Sequence, residues 1–597
     1  MQLKERWVEY TKKADFDLWS RELSVSKLTA RILRNRGIET LESAREFLYA
    51  GMESLADPRL MKGMSEGVRI LAETIRTGGK TAIASDFDDD GIFAGEILYE
   101  GIRRCGGEAL LFTPDRVREG YGLNQRIIDE AKAEGCGLIL TCDNGIAALS
   151  ETKYAKEQGF SVIVTDHHEV QYEEGPDGEK RYLLPEADAV IDPKQPGCAY
   201  PFRELCGAGV AFRLIQLLYR EFRIPEEEEQ AFYEYLAVAT VADVVPLQGE
   251  NRILVRAGLN RLHRTDKPGL LALISASGLQ KENLTAYHLG FVIGPAFNAV
   301  GRLSDVRIAF RLLQTRDERE AAELAARIRE LNERRKDETE RGTEQAFAEI
   351  ESGPLKEDRV LLVRLRDVHE SVVGIIAGRV KEKYSRPAFV FTDAEGGLKG
   401  SGRSVENFHM LAALIPEKHL LTRFGGHKMA AGLSLPEENL EILRRELNDH
   451  CTLTEEELRP VVRIDARVPF RFLTPALIEE LSCLAPFGTG NPRPVFAMAH
   501  LRVRSLRIVG KRRNVVRMSL ADEFGFVMDA VHFGDPDRLL QTIREEYGET
   551  ELQKLLRSGS DGVDLAFTFY PEINEYMGQK SIQIVCMSYC RIPQNRV

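Results

Sequence analysis

Acids collect at four places in the first half of this sequence: Asp86-Phe87-Asp88-Asp89-Asp90-Gly91, Asp143-Asn144-Gly145, Asp166-His167-His168, and Asp243 alone in an apolar stretch. Brought together, so many like charges repel unless cations hold them, so the residues ask for divalent metal. Oxygen donors with one or two imidazoles favour Mn²⁺ or Mg²⁺ over a structural zinc. The spacing Asp86-x-Asp88-x-Asp90-Gly91 opens like a calcium-binding EF-hand loop, but that loop needs a liganding Glu at position 97, where Ile97 stands. His167 and His168 are adjacent and must point in different directions. One can bind metal while the other faces a phosphate oxygen or a leaving group. Asp243 lies near the end of a largely apolar helix predicted over 230–245, where an unpaired carboxylate would be costly without a metal or a hydrogen-bonded partner. The chemistry these groups support is metal-assisted hydrolysis of a phosphoester.

Something must carry these groups to one place. Short apolar runs precede three of the clusters: Thr81–Ser85, Gly137–Cys142 and Ser161–Thr165. Two more, Glu108–Phe112 and Ala189–Ile191, complete a pattern of strands alternating with helices. Such runs read as buried strands of a parallel sheet, whose ligand site lies outside the carboxyl ends. The expected fold class is therefore α/β. A long Glu- and Arg-rich helix over 316–351 links this sheet to a smaller α/β unit, and short strands from about 460 form an all-β module. We divide the chain into an N-terminal helical segment (1–50), a catalytic domain (51–265), a helical connector (266–355), a substrate-binding domain (356–455) and a nucleic-acid-binding module (456–597). Trp7 and Trp19 are expected to pack the first segment onto the main α/β body.

The net charge is −12, so any binding of nucleic acid must rest on a local basic groove. One is visible in the last module: Arg502-Val503-Arg504 puts two arginines on one strand face, followed by Arg507, Lys511, Arg512, Arg513 and Arg517. Phe567, Phe569 and Tyr576 follow on later strands. A basic strand face with aromatics is how an OB-like barrel tracks a single strand. The nine cysteines include no C-x-x-C pair, which fits a reducing cytoplasm. The N-terminus is too charged for a signal peptide, and no apolar stretch approaches the ~20 residues of a membrane span.

In order, Asp-x-Asp-x-Asp-Gly, Asp-Asn-Gly, Asp-His-His and Thr240-Val241-Ala242-Asp243 resemble the four motifs of the DHH phosphoesterases. Further matches include Gly120-Tyr121-Gly122-Leu123, Asn298-Ala299-Val300-Gly301-Arg302, Ser401-Gly402-Arg403-Ser404, Gly425-Gly426-His427 and Pro486-Phe487-Gly488-Thr489-Gly490-Asn491-Pro492. Together they make the chain similar to the bacterial single-strand-specific 5′→3′ DNA exonucleases of the DHH/DHHA1 family. The resemblance implies a DHH parallel-sheet domain, a smaller DHHA1 domain and an OB-like domain. It implies two divalent ions held by Asp88, Asp90, Asp143, His167 and Asp243, with Asp143 between them and Asp86 a ligand or close neighbour. Asp90, Asp143 and His168 would serve catalysis, His168 by orienting the scissile phosphate or assisting the leaving 3′-oxygen. Gly425, Gly426 and His427 would contact substrate phosphate, and Arg302, Arg379 and Arg403 would clamp the phosphodiester. Implied partners are single-stranded DNA, a single-strand-binding protein and a RecQ-type helicase, for an enzyme acting as a monomer in repair and recombination. Two departures, Ile92-Phe93-Ala94-Gly95 without a small hydroxyl residue and Ala239 in place of glycine, remove no ligand.

Overall fold

A computed structural model describes residues 5–591 apart from 117, 176, 511, 512 and 577, with the side chain of Tyr576 also left out. The chain forms two compact units: Gly51–Pro460 with Gly488–Gly490, and Glu5–Ala50 with Val461–Phe487 and Asn491 onward.

The first unit holds a five-stranded sheet of β1 (Lys80–Ser85), β2 (Glu108–Phe112), β3 (Cys136–Cys142), β4 (Ser161–Thr165) and β5 (Ala189–Ile191). All pairings are parallel, in the order β2-β1-β3-β4-β5. Side chains alternate between the faces of a strand. Ile83, Leu138, Leu140 and Ile163 accordingly enter one core, while Ala82, Ala84, Ile139, Val162 and Val164 enter another. Covered on both faces, the strands can be apolar throughout, which is why they were readable as short apolar runs. The order reverses at β1, so the connections leaving β1 and β3 go to opposite faces of the sheet and leave a crevice at the carboxyl ends.

Helices α1 (Asp89–Arg104), α2 (Gly207–Glu221), α3 (Tyr233–Ala242) and α4 (Gly294–Leu303) pack around that crevice. A 35-residue helix, α5 (Glu318–Ser352), then runs to a second sheet. Its strands are β6 (Leu361–Leu365), β7 (Ala388–Ala394), β8 (Gly397–Arg403), β9 (Arg423–Gly426) and β10 (Ala430–Leu435), in the order β9-β10-β8-β7-β6. Only β6 and β7 are parallel. Among the described residues no helix is long and apolar enough to cross a membrane.

The second unit is a barrel of β11 (Ala466–Arg467), β12 (Phe496–Val509), β13 (Val515–Ala521), β14 (Val527–His532), β15 (Asp564–Tyr576) and β16 (Gln579–Arg591). It runs β11-β12-β13-β14-β16-β15 and closes through β12 against β15. One expectation changes here, and an alternative left open by the sequence is decided. The N-terminal segment belongs to the unit of this barrel: Arg6–Glu9 pairs in parallel with Val461–Ile464, and Trp19 and Leu33 share a core with Phe496. Phe567 and Phe569 are fully buried in that core. Alternation put them on one strand face, but closure made that face the interior.

Candidate active site

Asp88 caps α1, its carboxylate accepting from the Gly91 N–H at 3.2 Å. Asp90, in the first turn, accepts from the Gly207 and Ala208 N–H groups at 2.6 and 2.9 Å, where α2 presents its positive end. Gly207 has to be small: a Cβ there would lie 2.5 Å from that of Asp143. Asp143 follows β3 with φ +59, and Asn144 staples the turn by donating to the Ala84 and Cys142 carbonyls while accepting from Leu123. Asp243 ends α3.

These elements bring the acids and one imidazole together. His167 Nε2 lies 3.0 Å from Asp143, 3.7 Å from Asp90 and 3.8 Å from Asp243. Asp86, Asp88 and Asp143 form a second group of donors within 4.8 Å of one another. Asp143 thus belongs to both groups. Among the described residues, Asp86 Oδ1, Asp143 Oδ1, Asp243 Oδ2 and both nitrogens of His167 are buried without a hydrogen-bond partner. Burial and then mutual repulsion push the Asp143 and Asp243 carboxyls well above their ordinary range, and Asp86 moves the same way. Burial pulls His167 down to about 4, leaving it a neutral donor. A divalent cation would satisfy the carboxylate oxygens and the Nε2 of His167 together, so the residues fit one.

His168 is different. Its Nδ1 lies 2.7 Å from Asp166 Oδ1, and burial would lower it, but that hydrogen bond carries it up to about 9. Against the upward push of burial, the same bond helps hold Asp166 at about 2. The remaining Asp166 oxygen accepts from the Ile146 N–H at 2.9 Å. Tyr121 bridges the two centres, its hydroxyl reaching the Asp143 carbonyl and lying 3.1 Å from His168 Nδ1.

The predicted arginines separate. Arg302 donates to the Ser371 carbonyl, and Arg403 to Ser401 Oγ and the Gly402 carbonyl. Burial lowers both, Arg302 to about 9, and each also feels Arg116, a residue the sequence reading did not assign. Arg116 lies over the Phe87 ring at 4.6 Å and faces Asp86 and Asp88. Among the described residues none of these three is ion-paired, and Arg116 and Arg302 line a cavity of about 800 Å³. Arg379 is apart from them, 3.9 Å from Glu382 with a side chain 63% exposed. Gly425, Gly426 and His427 lie on an exposed edge strand and its turn. The field of Arg403, after burial, lowers His427, as does that of His168. On the barrel, Arg502 and Arg504 share an outer face around buried Val503, and Arg504 meets Asp561 at 3.3 Å. Arg507 stands directly opposite Arg517. Arg513 is exposed at a turn with φ +51, while Lys511 and Arg512 lie outside the described residues.

Three family models match: the DHH family N-terminal domain at 80–240, the DHHA1 domain at 357–452 and the RecJ OB domain at 464–588. The single-stranded-DNA-specific exonuclease RecJ of Dickeya dadantii is 33% identical over 601 residues, covering 94% of this chain and 96% of its own. The chain belongs to the RecJ family. RecJ of Bacillus subtilis is 37% identical over 506 residues, 84% of this chain, which spans 62% of that longer relative. RecJ of Thermus thermophilus in complex with Mn²⁺ superposes with a TM-score of 0.79 at 26% identity, covering 98% of this chain and 79% of the other. Its Mg²⁺ complex has the same fold, with a TM-score of 0.74 at 24% identity, covering 99% and 79%. RecJ membership places the chain among metal-dependent nucleases and accounts for both α/β units and the OB-like barrel.

Proposed function

We propose that the chain degrades single-stranded DNA from the 5′ end to 5′-mononucleotides, using two divalent ions, Mn²⁺ or Mg²⁺. The observation that carries this reading is the set of donors on Asp86, Asp143, His167 and Asp243, unpartnered among the described residues and facing one another beside Arg116, Arg302 and Arg403, which form no ion pair among those residues. The relatives' names supply the single-strand preference. When bound, the ions activate water and neutralise charge developing on the phosphate. Asp88, Asp90, Asp143, His167 and Asp243 would hold them, Asp143 being the donor common to both groups and Asp86 a further oxygen on one side. His168 keeps its Nδ1 proton on Asp166, which leaves Nε2 to meet the scissile phosphate or deliver a proton to the leaving 3′-oxygen.

The 5′→3′ sense comes from the family resemblance, and the arginines support attack at an end. Three guanidiniums without a carboxylate partner suit a terminal phosphate, which carries more charge than a bridging one. Gly425, Gly426 and His427 present backbone and imidazole to the same strand. The barrel's outer face, with Arg502, Arg504, Arg507, Arg513 and Arg517, adds non-specific attraction, since Arg507 and Arg517 directly opposite each other repel unless an anion lies over them. The reading places the enzyme in the cytoplasm as a monomer, in repair and recombination, with a single-strand-binding protein and a helicase as partners. The deciding assay offers purified protein, Mn²⁺ and single strands of DNA and RNA labelled at either end. Release of 5′-terminal mononucleotides from DNA is expected; equal attack from both ends would refute the polarity.

A further inference from the structure

A patch of exposed aromatic surface beside the metal site has no part in the chemistry above. Tyr287 is 59% exposed and Phe291 68%, and their rings stack 4.8 Å apart at 27°. They sit where the helical path widens: Ala286–His288 is α-helical, Leu289–Ile293 makes a π turn, and α4 follows. Leu289 and Ile293 are buried on the other side of that turn. The segment is therefore anchored while its two rings are held out to water. Single π turns are frequent at functional sites, where they re-aim side chains that a regular helix would place elsewhere.

Packing ties the patch to the reaction centre. A Cβ on Gly290 would lie 3.2 Å from Val241 Cγ1, and one on Gly294 would lie 2.4 Å from that of Ala242 and 3.0 Å from the Asp89 carboxylate. The residues flanking the rings thus press on the last turn of α3, which leads directly into Asp243. Val244 comes next, 64% exposed with φ +64. A β-branched residue in that left-handed region is strained, and such strain collects at functional sites. Three apolar side chains in water around one metal ligand call for an occupant.

We propose that Tyr287 and Phe291, with Val244 beside them, form a stacking platform for bases of the single strand whose backbone lies at the metal site. The proposal rests on the single-strand reading above and gives that strand a contact for its bases. Continuity with the metal centre selects the occupant. Next to so many carboxylates, phosphate is welcome only where cations neutralise it, so the strand is held there by its uncharged part. An aromatic face accepts every base, as a nuclease indifferent to sequence requires, and a duplex cannot use it because its bases are already stacked.

The test uses the full chain and 5′-phosphorylated single strands with Mn²⁺. Tyr287→Ala with Phe291→Ala is expected to raise KM about tenfold with little change in kcat. On a strand abasic over its first several nucleotides, the difference between variant and wild type should vanish. Tyr287→Phe with Phe291→Tyr keeps both rings and should restore the wild-type KM, which separates stacking from misfolding. Without metal, a strand carrying 2-aminopurine should be quenched by the wild type and not by the alanine variant. An unchanged KM, an equal rise on the abasic strand, or quenching that survives the alanine changes would overturn the platform; the first of these would point to a protein ligand. If the wild type quenches the strand but digests none, the exonuclease reading fails and the platform stands.

Discussion

Arginines meet their surroundings in opposite ways in the two units of this molecule. Arg116, Arg302 and Arg403 are drawn partly out of water, lowered by burial, and set close enough to feel one another. Those on the barrel stand in solvent, Arg507 across from Arg517. A guanidinium that has lost hydration without gaining a carboxylate interacts strongly with an anion of the right shape and is poorly screened. An exposed row attracts any phosphate and weakens with salt. The same residue type therefore selects an end in one unit and supplies general adhesion in the other.

The acids set the scale. Asp143→Ala should lower kcat/KM on the order of 10³-fold, because residues acting as a unit fail together, while strand binding by the barrel persists. Retained turnover would remove Asp143 from its shared position. Next in size, Arg302→Ala should cost about 100-fold on 5′-phosphorylated strands, much less on 5′-hydroxyl strands, and nearly the same at low and high salt. A loss that fades with salt would put Arg302 with the exposed set. Arg507→Ala with Arg517→Ala should weaken binding about tenfold at low salt and reduce the salt slope by about 2, uniformly across sequences. An unaltered slope would end the barrel-face assignment.

The smallest effect concerns a buried acid with no ion to neutralise it. Glu96, further along α1, is fully buried and accepts one hydrogen bond, from Gln314. Burial, then repulsion from Glu100, lifts it to about 8 from the ordinary 4.5. The folded state keeps a proton that the unfolded chain releases, so the group costs stability increasingly as pH rises through that window. Glu96→Gln should raise Tm by about 3 °C at pH 9 and hardly at all at pH 5. An equal shift at both values would mean that Glu96 is charged in the folded protein.

Much of the site was legible because three of the four acidic clusters follow a strand buried on both faces, a pattern written within a few residues. Separate roles for His167 and His168 followed from their adjacency, and Asp243 from its isolation in an apolar helix. The grip of Asp166 on His168 was not legible, because the Asp-His-His spacing does not say which imidazole Asp166 meets. Neither was the pairing of Asp89 with Asn298, 209 residues away, nor the arrival of Arg116 beside Arg302. Arg302 and Arg379 look alike in sequence; only packing buried one beside Arg116 and left the other in solvent.

The sequence by itself determined the strand-and-acid pattern, the need for a divalent ion and the three kinds of domain, since these depend on periodicity and side-chain type over short stretches. Tertiary structure decided which donors meet, that Phe567 and Phe569 lie inside the barrel, that the N-terminal strand joins Val461–Ile464, and that Tyr287 and Phe291 are held out beside Asp243. The reason is physical. Local pattern says which way a side chain points from its own backbone, but what it meets depends on sheet order, barrel closure and the packing of helices far apart in the chain.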